Sequence, residues 1–249
     1  MTFQPSKAEN DARNWRKPTT GPGLEKPEGP IGGRQMNRNF CSAQLLAACH
    51  RIETSGMTVG TWGNISIRVD TTHFLITPSG MKYSLLEGRD MVLMDMDGRV
   101  VESDRKPSIE NALHRGIYRA RPDVQAVLHT HPKYSIAFAI ARKDIPPVCE
   151  ELVQIIGEGV RCAAYALPGT EELAKNAVEA LGDRNAALIA NHGAVCVGES
   201  IDKAFLVAEV LEKSAQGILY ATLLGTPHIL SHEDCVAMRD FVTHSYGQR

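Results

Sequence analysis

The chain alternates strand-like and helix-like segments from about Met36 onward, and this alternation constrains the fold more than any other feature. Each segment carries an apolar face that must be buried against another element. Helices are predicted at 39–55, 108–121, 132–142, 169–184, 200–225 and 231–249, and strands at 57–70, 73–80, 90–101, 123–131 and 185–198. The alternation predicts an α/β domain with helices packed on a central sheet.

Local signals refine the boundaries of these elements. Asp97-Gly98 is expected to form the turn of a hairpin. Ser108 is expected to cap the second helix, and Pro132 to lie in the first turn of the third. The segment 185–198 is read as a strand pair or as one strand with a turn.

The segment before the domain has a different composition. Residues 1–35 are polar and rich in Pro and Gly, with too little apolar surface to offset the entropy of ordering the chain. We therefore expect a flexible N-terminal arm at 1–35 and a folded domain at 36–249.

Composition and charge exclude several classes of partner. The 249 residues are 43% hydrophobic and 22% charged, and the net charge of −2 is spread along the chain. We therefore expect neither nucleic acid nor a membrane as partner. The six cysteines form no CxxC pair, and the N-terminus lacks the pattern of a signal peptide. These features favour a reducing, cytoplasmic location.

Two histidines at the end of an apolar run are the first candidates for chemistry. His129 and His131 are separated by one residue in "AVLHTHPKY". Because strand side chains alternate between faces, both imidazoles are expected on the same side of the sheet. The pair predicts half of a metal site, although histidines in such places also serve as satisfied core residues.

A third histidine completes a candidate ligand set. His192 closes the apolar run "ALIANHG", and Gly193 after it allows a sharp turn or a close backbone approach. Three imidazoles with an open position are typical of catalytic zinc. Mn²⁺, Co²⁺ or Fe²⁺ could replace Zn²⁺, because imidazole suits all of them.

Glu110 is the candidate carboxylate. It lies near the start of the predicted second helix, where the helix dipole alone would favour an acidic residue. The functional alternative makes Glu110 a fourth metal ligand or a proton-transferring group. His114 lies four residues further along on the same helix face, and we interpret it as structural.

Two loops are rich in small hydrogen-bond donors. "TWGNISIR" and "TPSGM" place Gly, Asn, Ser or Thr beside a β run. Together with the helix start at Ser108 they could hold a phosphate or carboxylate, whereas singly each is an ordinary hairpin loop. Neither loop is a Walker motif or a dinucleotide fingerprint.

Taken in order, five motifs carry a resemblance to a known family. They are Gly63-Asn64-Ile65-Ser66, Thr77-Pro78-Ser79-Gly80, Lys106-Pro107-Ser108-Ile109-Glu110, His129-Thr130-His131-Pro132 and Asn191-His192-Gly193. On these motifs the chain resembles the class II sugar-phosphate aldolases of the aldolase/adducin superfamily, from about Met36 to Gly225.

The resemblance implies a fold, an assembly and a set of site residues. The fold would be a three-layer α/β/α sandwich with a central, mainly antiparallel sheet, in a homotetramer with active sites between subunits. The implied zinc ligands are His129, His131 and His192, with Glu110 as ligand and acid/base. The phosphate of the substrate would be bound by Asn64, Ser79, Gly80 and Ser108.

The sequence departs from the family pattern in two places. Ile109 stands where the fuculose 1-phosphate aldolases of this family have a second serine in the phosphate pocket. The family tyrosine that protonates the leaving aldehyde aligns near 148–151, where this chain has no tyrosine. Candidates for the second acid/base are therefore Glu150 and Glu151, with Tyr246 or His244 of the tail as replacements.

These features together predict a zinc-dependent lyase. The expected reaction is reversible aldol cleavage of a short ketose 1-phosphate to dihydroxyacetone phosphate and an aldehyde, through a metal-stabilised enediolate. The alternatives are a metal-dependent decarboxylase, dehydratase or 4-epimerase of a sugar phosphate or related oxo acid. A non-enzymatic, adducin-like binding domain is the alternative from another class.

Overall fold

One sheet of eight strands runs through the centre of the computed structural model, which describes residues 38–244. Its strands are β1 (Asn64–Arg68), β2 (His73–Ile76), β3 (Val92–Asp95), β4 (Val100–Glu102), β5 (Ala126–Thr130), β6 (Cys162–Ala163), β7 (Ala186–Ile189) and β8 (Gly193–Gly198). Their order is β4-β3-β2-β1-β5-β8-β7-β6, and every neighbouring pair is antiparallel except β6 with β7. The predicted mainly antiparallel sheet is confirmed.

Helices cover both faces of this sheet. They are α1 (Arg38–Ser55), α2 (Asn111–Ala120), α3 (Ser135–Ala141), α4 (Glu150–Ile155), α5 (Glu171–Leu181), α6 (Ile201–Leu224) and α7 (His232–His244). Alternate residues of β5 feed two separate cores: Ala126 and Leu128 pack with α1 and α6, whereas Val127 packs with α2 and α5. This alternation buries both faces of each central strand and confirms the three-layer α/β/α sandwich.

Most predicted elements occur where the sequence placed them. Asp97-Gly98 forms the turn between β3 and β4, with Gly98 at a φ of +88°. The segment 185–198 is a strand pair, and the tail forms α7 as far as His244. The structure adds α4 and β6, which the sequence pattern did not predict. The predicted arm at 1–35 lies outside the described residues.

Two helix starts were predicted too early. Helix α2 has Glu110 rather than Ser108 at its N-cap, because the Ser108 N–H donates to the Thr77 carbonyl at 3.1 Å and keeps this segment extended. Helix α3 begins at Ser135, beyond Pro132. There the Glu212 carboxylate accepts the backbone N–H of Ser135 at 2.9 Å, so a distant side chain sets the start.

The three central strands bring separate sequence motifs together at the same end of the sheet, where the start of β1, the end of β5 and the start of β8 meet. The start of β1 pairs with the end of β5, where Asn64 lies opposite His129. The end of β5 pairs with the start of β8, where Thr130 lies opposite Ala194. Because the pairs are antiparallel, chain positions more than sixty residues apart become neighbours at this end.

Membrane-spanning helices were searched for in the described part of the chain. Within residues 38–244, no helix combines the length and the apolar character needed to cross a bilayer.

A buried histidine lies between α2 and the sheet. His114 is 0% exposed, and its Nδ1 lies 2.6 Å from the Ser66 hydroxyl of β1. Burial is the main cause that lowers its pKa from 6.5 to about 3, and the electrostatic interaction with nearby His129 adds to this shift. His114 is therefore neutral in the folded protein at neutral pH.

We expect His114 to make the metal-free protein unstable in mild acid. Below pH 6.5 the unfolded chain binds a proton that the folded state refuses until about pH 3. The free energy of unfolding should therefore fall as the pH falls across this window, by about 1.4 kcal/mol per pH unit from this group. Urea titrations from pH 6 to 4 should give a flatter slope for His114→Gln than for the wild type. His50→Gln, at an exposed position of α1, is the control; equal slopes for wild type and His114→Gln would contradict the prediction.

Candidate metal centre

Three histidine side chains converge at the end of the central strands where β1, β5 and β8 meet. One ligand atom from each of His129, His131 and His192 lies within 4.8 Å of the other two. The Nε2 atoms of His129 and His131 are 3.0 Å apart. Among residues 38–244 this is the one group of three histidine, cysteine or acidic side chains with such spacing. The structure thus brings together the three histidines that the sequence singled out.

The orientation of the His129 ring is set by the backbone of β8. His129 is 0% exposed, and its Nδ1 lies 2.9 Å from the Ala194 carbonyl oxygen. A carbonyl can only accept, so Nδ1 of His129 carries a proton. Nε2 is then the ring nitrogen that faces the neighbouring His131, and it is the nitrogen available to a metal.

Gly193 makes room for the cluster. A Cβ at this position would lie 2.9 Å from Cδ2 of His131 and would also clash with the Thr130 carbonyl. Just before it, Asn191 adopts a φ of +56°, which closes the tight turn between β7 and β8 that carries His192. The close backbone approach predicted at Gly193 is therefore present, and it lets the imidazole rings of His129 and His131 lie against the backbone of β8.

The carboxylate of Glu110 faces the histidines. Its Oε2 is 3.1 Å from His129 Nε2, and its Oε1 is 3.5 Å from His192 Nε2. Asn64 donates a hydrogen bond of 2.9 Å from Nδ2 to the same Oε2. Burial by itself raises the pKa of Glu110, but the neighbouring imidazoles and the Asn64 donor outweigh it and lower the pKa overall. Glu110 is therefore ionised at neutral pH.

The donor set fits a divalent transition metal. Burial is the main cause that lowers the pKa of His131 to about 3 and that of His192 to about 4, so both rings are neutral at pH 7. Neutral imidazoles and a carboxylate are ligands that zinc and similar ions prefer. Within the described residues, buried Oε1 of Glu110 accepts no hydrogen bond. A cation would compensate this carboxylate oxygen, which is otherwise costly to bury.

The predicted anion-binding loops lie side by side next to Glu110. Ser79 N donates to the Lys106 carbonyl at 3.0 Å, and an isolated bridge joins Pro78 to Pro107. Gly80 has a φ of +68° in an exposed turn with open space above it. Ser108 is buried, and its Oγ accepts the Glu110 N–H at 3.3 Å. Among the candidate phosphate residues, Ser108 and Asn64 therefore contact Glu110, and the loop of Ser79 and Gly80 is paired with the segment that leads to Ser108.

Asn64 and Ile109 add detail to this side of the site. Asn64 is 4% exposed and already contacts Glu110, which leaves one N–H of its amide uncommitted. The Ile109 side chain is 65% exposed, and its carbonyl oxygen would lie 3.0 Å from a Cβ on Gly169. The isoleucine thus adds an apolar side chain at the rim, where a serine would add a hydroxyl.

Trp62 is a site residue to which sequence reasoning gave no role. Its ring stacks on His131 with 6.3 Å between ring centroids, although the residue is 64% exposed. An exposed tryptophan next to a candidate ligand can shield one side of the metal site from water. The available signal was a large aromatic residue inside a loop of Gly and Thr, "GTWGN".

The described candidates for the second acid/base, Glu150, Glu151 and His244, are exposed, and none has a hydrogen bond or ion pair to the three histidines among the described residues. Glu150 and Glu151 are exposed at the start of α4, which packs against α6 and α7. Glu151 forms an ion pair of 2.7 Å with Lys213. His244 is exposed at the end of α7 and bonds to Asp240, while Tyr246 lies outside the described residues.

Several known proteins are similar to this chain in sequence. The family model for the "Class II Aldolase and Adducin N-terminal domain" matches residues 43–219. A 5-deoxy-D-ribulose 1-phosphate aldolase of Bacillus thuringiensis serovar kurstaki is 38% identical over 192 residues, which cover 77% of this chain and 90% of that protein. A 5-methylthioribulose-1-phosphate/5-deoxyribulose-1-phosphate aldolase of Rhodospirillum rubrum is 35% identical, with 76% of this chain and 85% of that protein covered.

A solved structure agrees with these relatives. The structure of an L-fuculose 1-phosphate aldolase superposes with a TM-score of 0.80 at 33% identity, and the match covers 85% of this chain and all of that one. Family model, relatives and structure agree with the motifs found in the sequence. The chain belongs to the class II aldolase/adducin family, and it is an enzyme of the lyase class.

Proposed function

We propose that this protein is a metal-dependent aldolase that cleaves a short ketose 1-phosphate to dihydroxyacetone phosphate and an aldehyde. The observation that carries the proposal is the convergence of three imidazoles, whose ligand atoms lie within 4.8 Å of one another, beside the ionised Glu110. The relatives support the substrate class, because all are named for ketose 1-phosphates. Two of these names specify five-carbon sugars without a 5-hydroxyl group.

His129, His131 and His192 would hold the metal, with Glu110 as an additional ligand before substrate binds. Zn²⁺ is the proposed ion, with Mn²⁺, Co²⁺ or Fe²⁺ as substitutes. When bound, such an ion would stabilise negative charge that develops on the substrate oxygens. The neutral imidazoles leave the positive charge of the ion undiminished, whereas thiolate ligands would reduce it.

Glu110 would carry the proton during the reaction. In cleavage the bond between C3 and C4 breaks, the C4 hydroxyl loses its proton to become the aldehyde, and C3 receives a proton. Glu110 is the buried carboxylate next to the histidines, so it is placed to exchange the proton at C3. Its free Oε1 can accept a proton without first breaking a hydrogen bond.

The substrate phosphate would bind at the paired loops beside Glu110. The Ser79 and Ser108 hydroxyls, the Gly80 N–H and the second N–H of Asn64 are the proposed donors. Binding energy from a remote phosphate holds the reacting carbons in place over the catalytic groups. Ile109 would contribute an apolar wall instead of a further donor.

The second acid/base is proposed to come from another subunit of a homotetramer. Glu150 and Glu151 are exposed, and neither touches the histidine cluster of its own chain among the described contacts. An active site between subunits would bring one of them, or Tyr246, to the leaving aldehyde. A carboxylate at this place also fits dehydration, decarboxylation or 4-epimerisation, which are the alternative reactions.

The six free cysteines support a cytoplasmic location.

The substrate panel decides among these reactions. We expect the metal-loaded protein to release dihydroxyacetone phosphate from 5-deoxyribulose 1-phosphate, 5-methylthioribulose 1-phosphate or fuculose 1-phosphate, and to release the matching aldehyde in equal amount. Coupled reduction of dihydroxyacetone phosphate and mass analysis measure the two products. A product that retains all the carbons, or release of carbon dioxide from an oxo acid, would point to an alternative. No reaction with any substrate would contradict the proposal.

The metal should be stoichiometric and held by the histidines. We expect one divalent transition metal per chain in the purified protein, and chelators should remove both the metal and the activity. His192→Gln removes one of three ligands and should lower metal affinity by at least about a hundredfold. His73→Gln changes a histidine that pairs with Asp70, and it should leave metal content unchanged. Full metal content in His192→Gln would exclude it as a ligand.

Mixed tetramers test the shared active site. Glu110→Gln should be nearly inactive alone, because it lacks one proton-transferring group, and Glu150→Gln should be nearly inactive too if Glu150, rather than Glu151 or Tyr246, is the second group. If the two groups come from different subunits, unfolding and refolding the two variants together will create some sites with both groups intact. We therefore expect activity to return in the mixture. Inactive hybrids, or a fully active Glu150→Gln, would contradict the proposed role of Glu150.

A further inference from the structure

A line of buried polar side chains leads from the core between α2 and the sheet to Glu110. Tyr118, Ser66, His114 and Asn64 follow one another at hydrogen-bond distance, and the last of them contacts the carboxylate. Tyr118, Ser66 and His114 are each no more than 2% exposed. Buried polar groups that only fill a core are normally replaced by apolar ones at lower cost, so a complete line of them calls for a function.

The direction of the hydrogen bonds follows from the end at Glu110. An ionised carboxylate can only accept, so the Asn64 group that faces Oε2 at 2.9 Å must be the amide nitrogen. The amide oxygen of Asn64 then faces Nε2 of His114 and needs a donor. Because the His114 ring is neutral, its single proton must lie on Nε2.

The remaining bonds follow by the same argument. With its proton on Nε2, His114 offers a lone pair at Nδ1, so the Ser66 hydroxyl 2.6 Å away must donate to it. Ser66 Oγ then accepts from the Tyr118 hydroxyl at 2.8 Å. All hydrogen bonds in the line therefore point toward Glu110. Reversing any one of them would place two donors or two acceptors face to face.

We propose that His114 and Asn64 are positioning residues, which hold Oε2 of Glu110 in place so that Oε1 remains the oxygen that exchanges the proton. The two oxygens already differ in the structure: Oε2 contacts Asn64 and His129, whereas Oε1 has no hydrogen-bond partner among the described residues. Without the Asn64 donor, rotation of the carboxylate would interchange the two oxygens. The proposal revises the purely structural role that the sequence suggested for His114.

The far end of the line is anchored firmly enough to serve this role. The Arg68 guanidinium lies 4.7 Å from the centre of the Tyr118 ring and donates to the Tyr118 carbonyl at 2.7 Å. Asn64 is the first residue of β1, and His114 belongs to α2. The line therefore connects the central sheet to the helix that follows Glu110, so both ends of the carboxylate's support are rigid.

The first experiment measures the position of the His114 proton. Nitrogen-15 NMR of histidine-labelled, metal-loaded protein should show a neutral ring with its proton on Nε2, assigned by loss of the signal in His114→Gln. A neutral ring with its proton on Nδ1 would put two acceptors face to face at Asn64, and a doubly protonated ring at pH 7 would reverse the bond to Ser66; either result would overturn the proposal. This measurement does not depend on turnover, so it separates failure of the positioning role from failure of the proposed aldolase function, on which that role rests.

The second experiment uses a matched pair of substitutions. The amide nitrogen of Gln reaches the place of Nε2 and can still donate to Asn64, whereas Asn reaches only as far as Nδ1. We expect kcat of His114→Asn to fall about tenfold to a hundredfold with KM little changed, and kcat of His114→Gln to remain within about threefold of the wild type. Metal affinity, measured by chelator competition, should fall in the same order.

Thermal unfolding and a third variant complete the test. His50→Gln, at an exposed position of α1 outside the line, is the control, and its kcat should stay close to that of the wild type. Equal losses in His114→Asn and His114→Gln, with equal losses of stability, would show that His114 only fills space and would overturn the proposal. Unchanged kcat and metal affinity in His114→Asn would overturn it as well. If both His114 variants fail to fold, the proton position in the wild type decides.

Discussion

The structure depends on antiparallel pairing of three strands that meet at one end of the sheet. The β5 strand is paired with β1 on one side and β8 on the other, which places Asn64 opposite His129 and Thr130 opposite Ala194. A register slip of one residue in β5 would turn His129 toward the other core and separate the histidines. The same pairing that completes the sheet therefore also assembles the candidate metal centre.

Placing this much polarity at one end of the sheet is costly, and the surrounding structure compensates most of it. The Ala194 carbonyl orients His129, and Asn64 donates to Glu110. Burial keeps the His131 and His192 rings neutral by lowering the pKa of each. What remains is a compact group of lone pairs with one unbonded carboxylate oxygen. That remaining imbalance is what makes the site suited to a cation.

The two cores on either side of the sheet have different tasks. Single buried polar side chains such as Ser42 of α1 and Ser214 of α6 occur beside the first core, whereas the second core, with α2 and α5, adjoins the continuous hydrogen-bonded line from Tyr118 to Asn64. Polar groups are found on the α2 side because the Glu110 turn leads directly into that helix. The hydrogen bonds that hold the Glu110 carboxylate and the packing of the second core thus depend on the same residues of α2 and β1.

Most of the fold and of the site could be predicted from the sequence. The alternation of helix-like and strand-like hydrophobic patterns predicted helices packed on a central sheet. The spacing of His129 and His131 predicted that both rings face one side of the sheet. Both features depend on local geometry, which the sequence shows directly. Helix starts at Ser108 and Pro132 were predicted too early, since distant partners at Thr77 and Glu212 decide them. The short elements α4 and β6 have too few residues to show a period.

By itself, the sequence determined which residue types could carry the chemistry: three histidines, a glutamate and the loops of small donors. Only the tertiary structure decided that Glu110 contacts His129, that Trp62 stacks on His131, and that His114 is hydrogen-bonded to Asn64. It also showed that Glu150 and Glu151 are exposed at the start of α4, where Glu151 pairs with Lys213. The physical reason is that a hydrogen bond forms only when the donor–acceptor distance is correct to within a few tenths of an ångström. Strand pairing sets these distances between residues that are far apart in the chain.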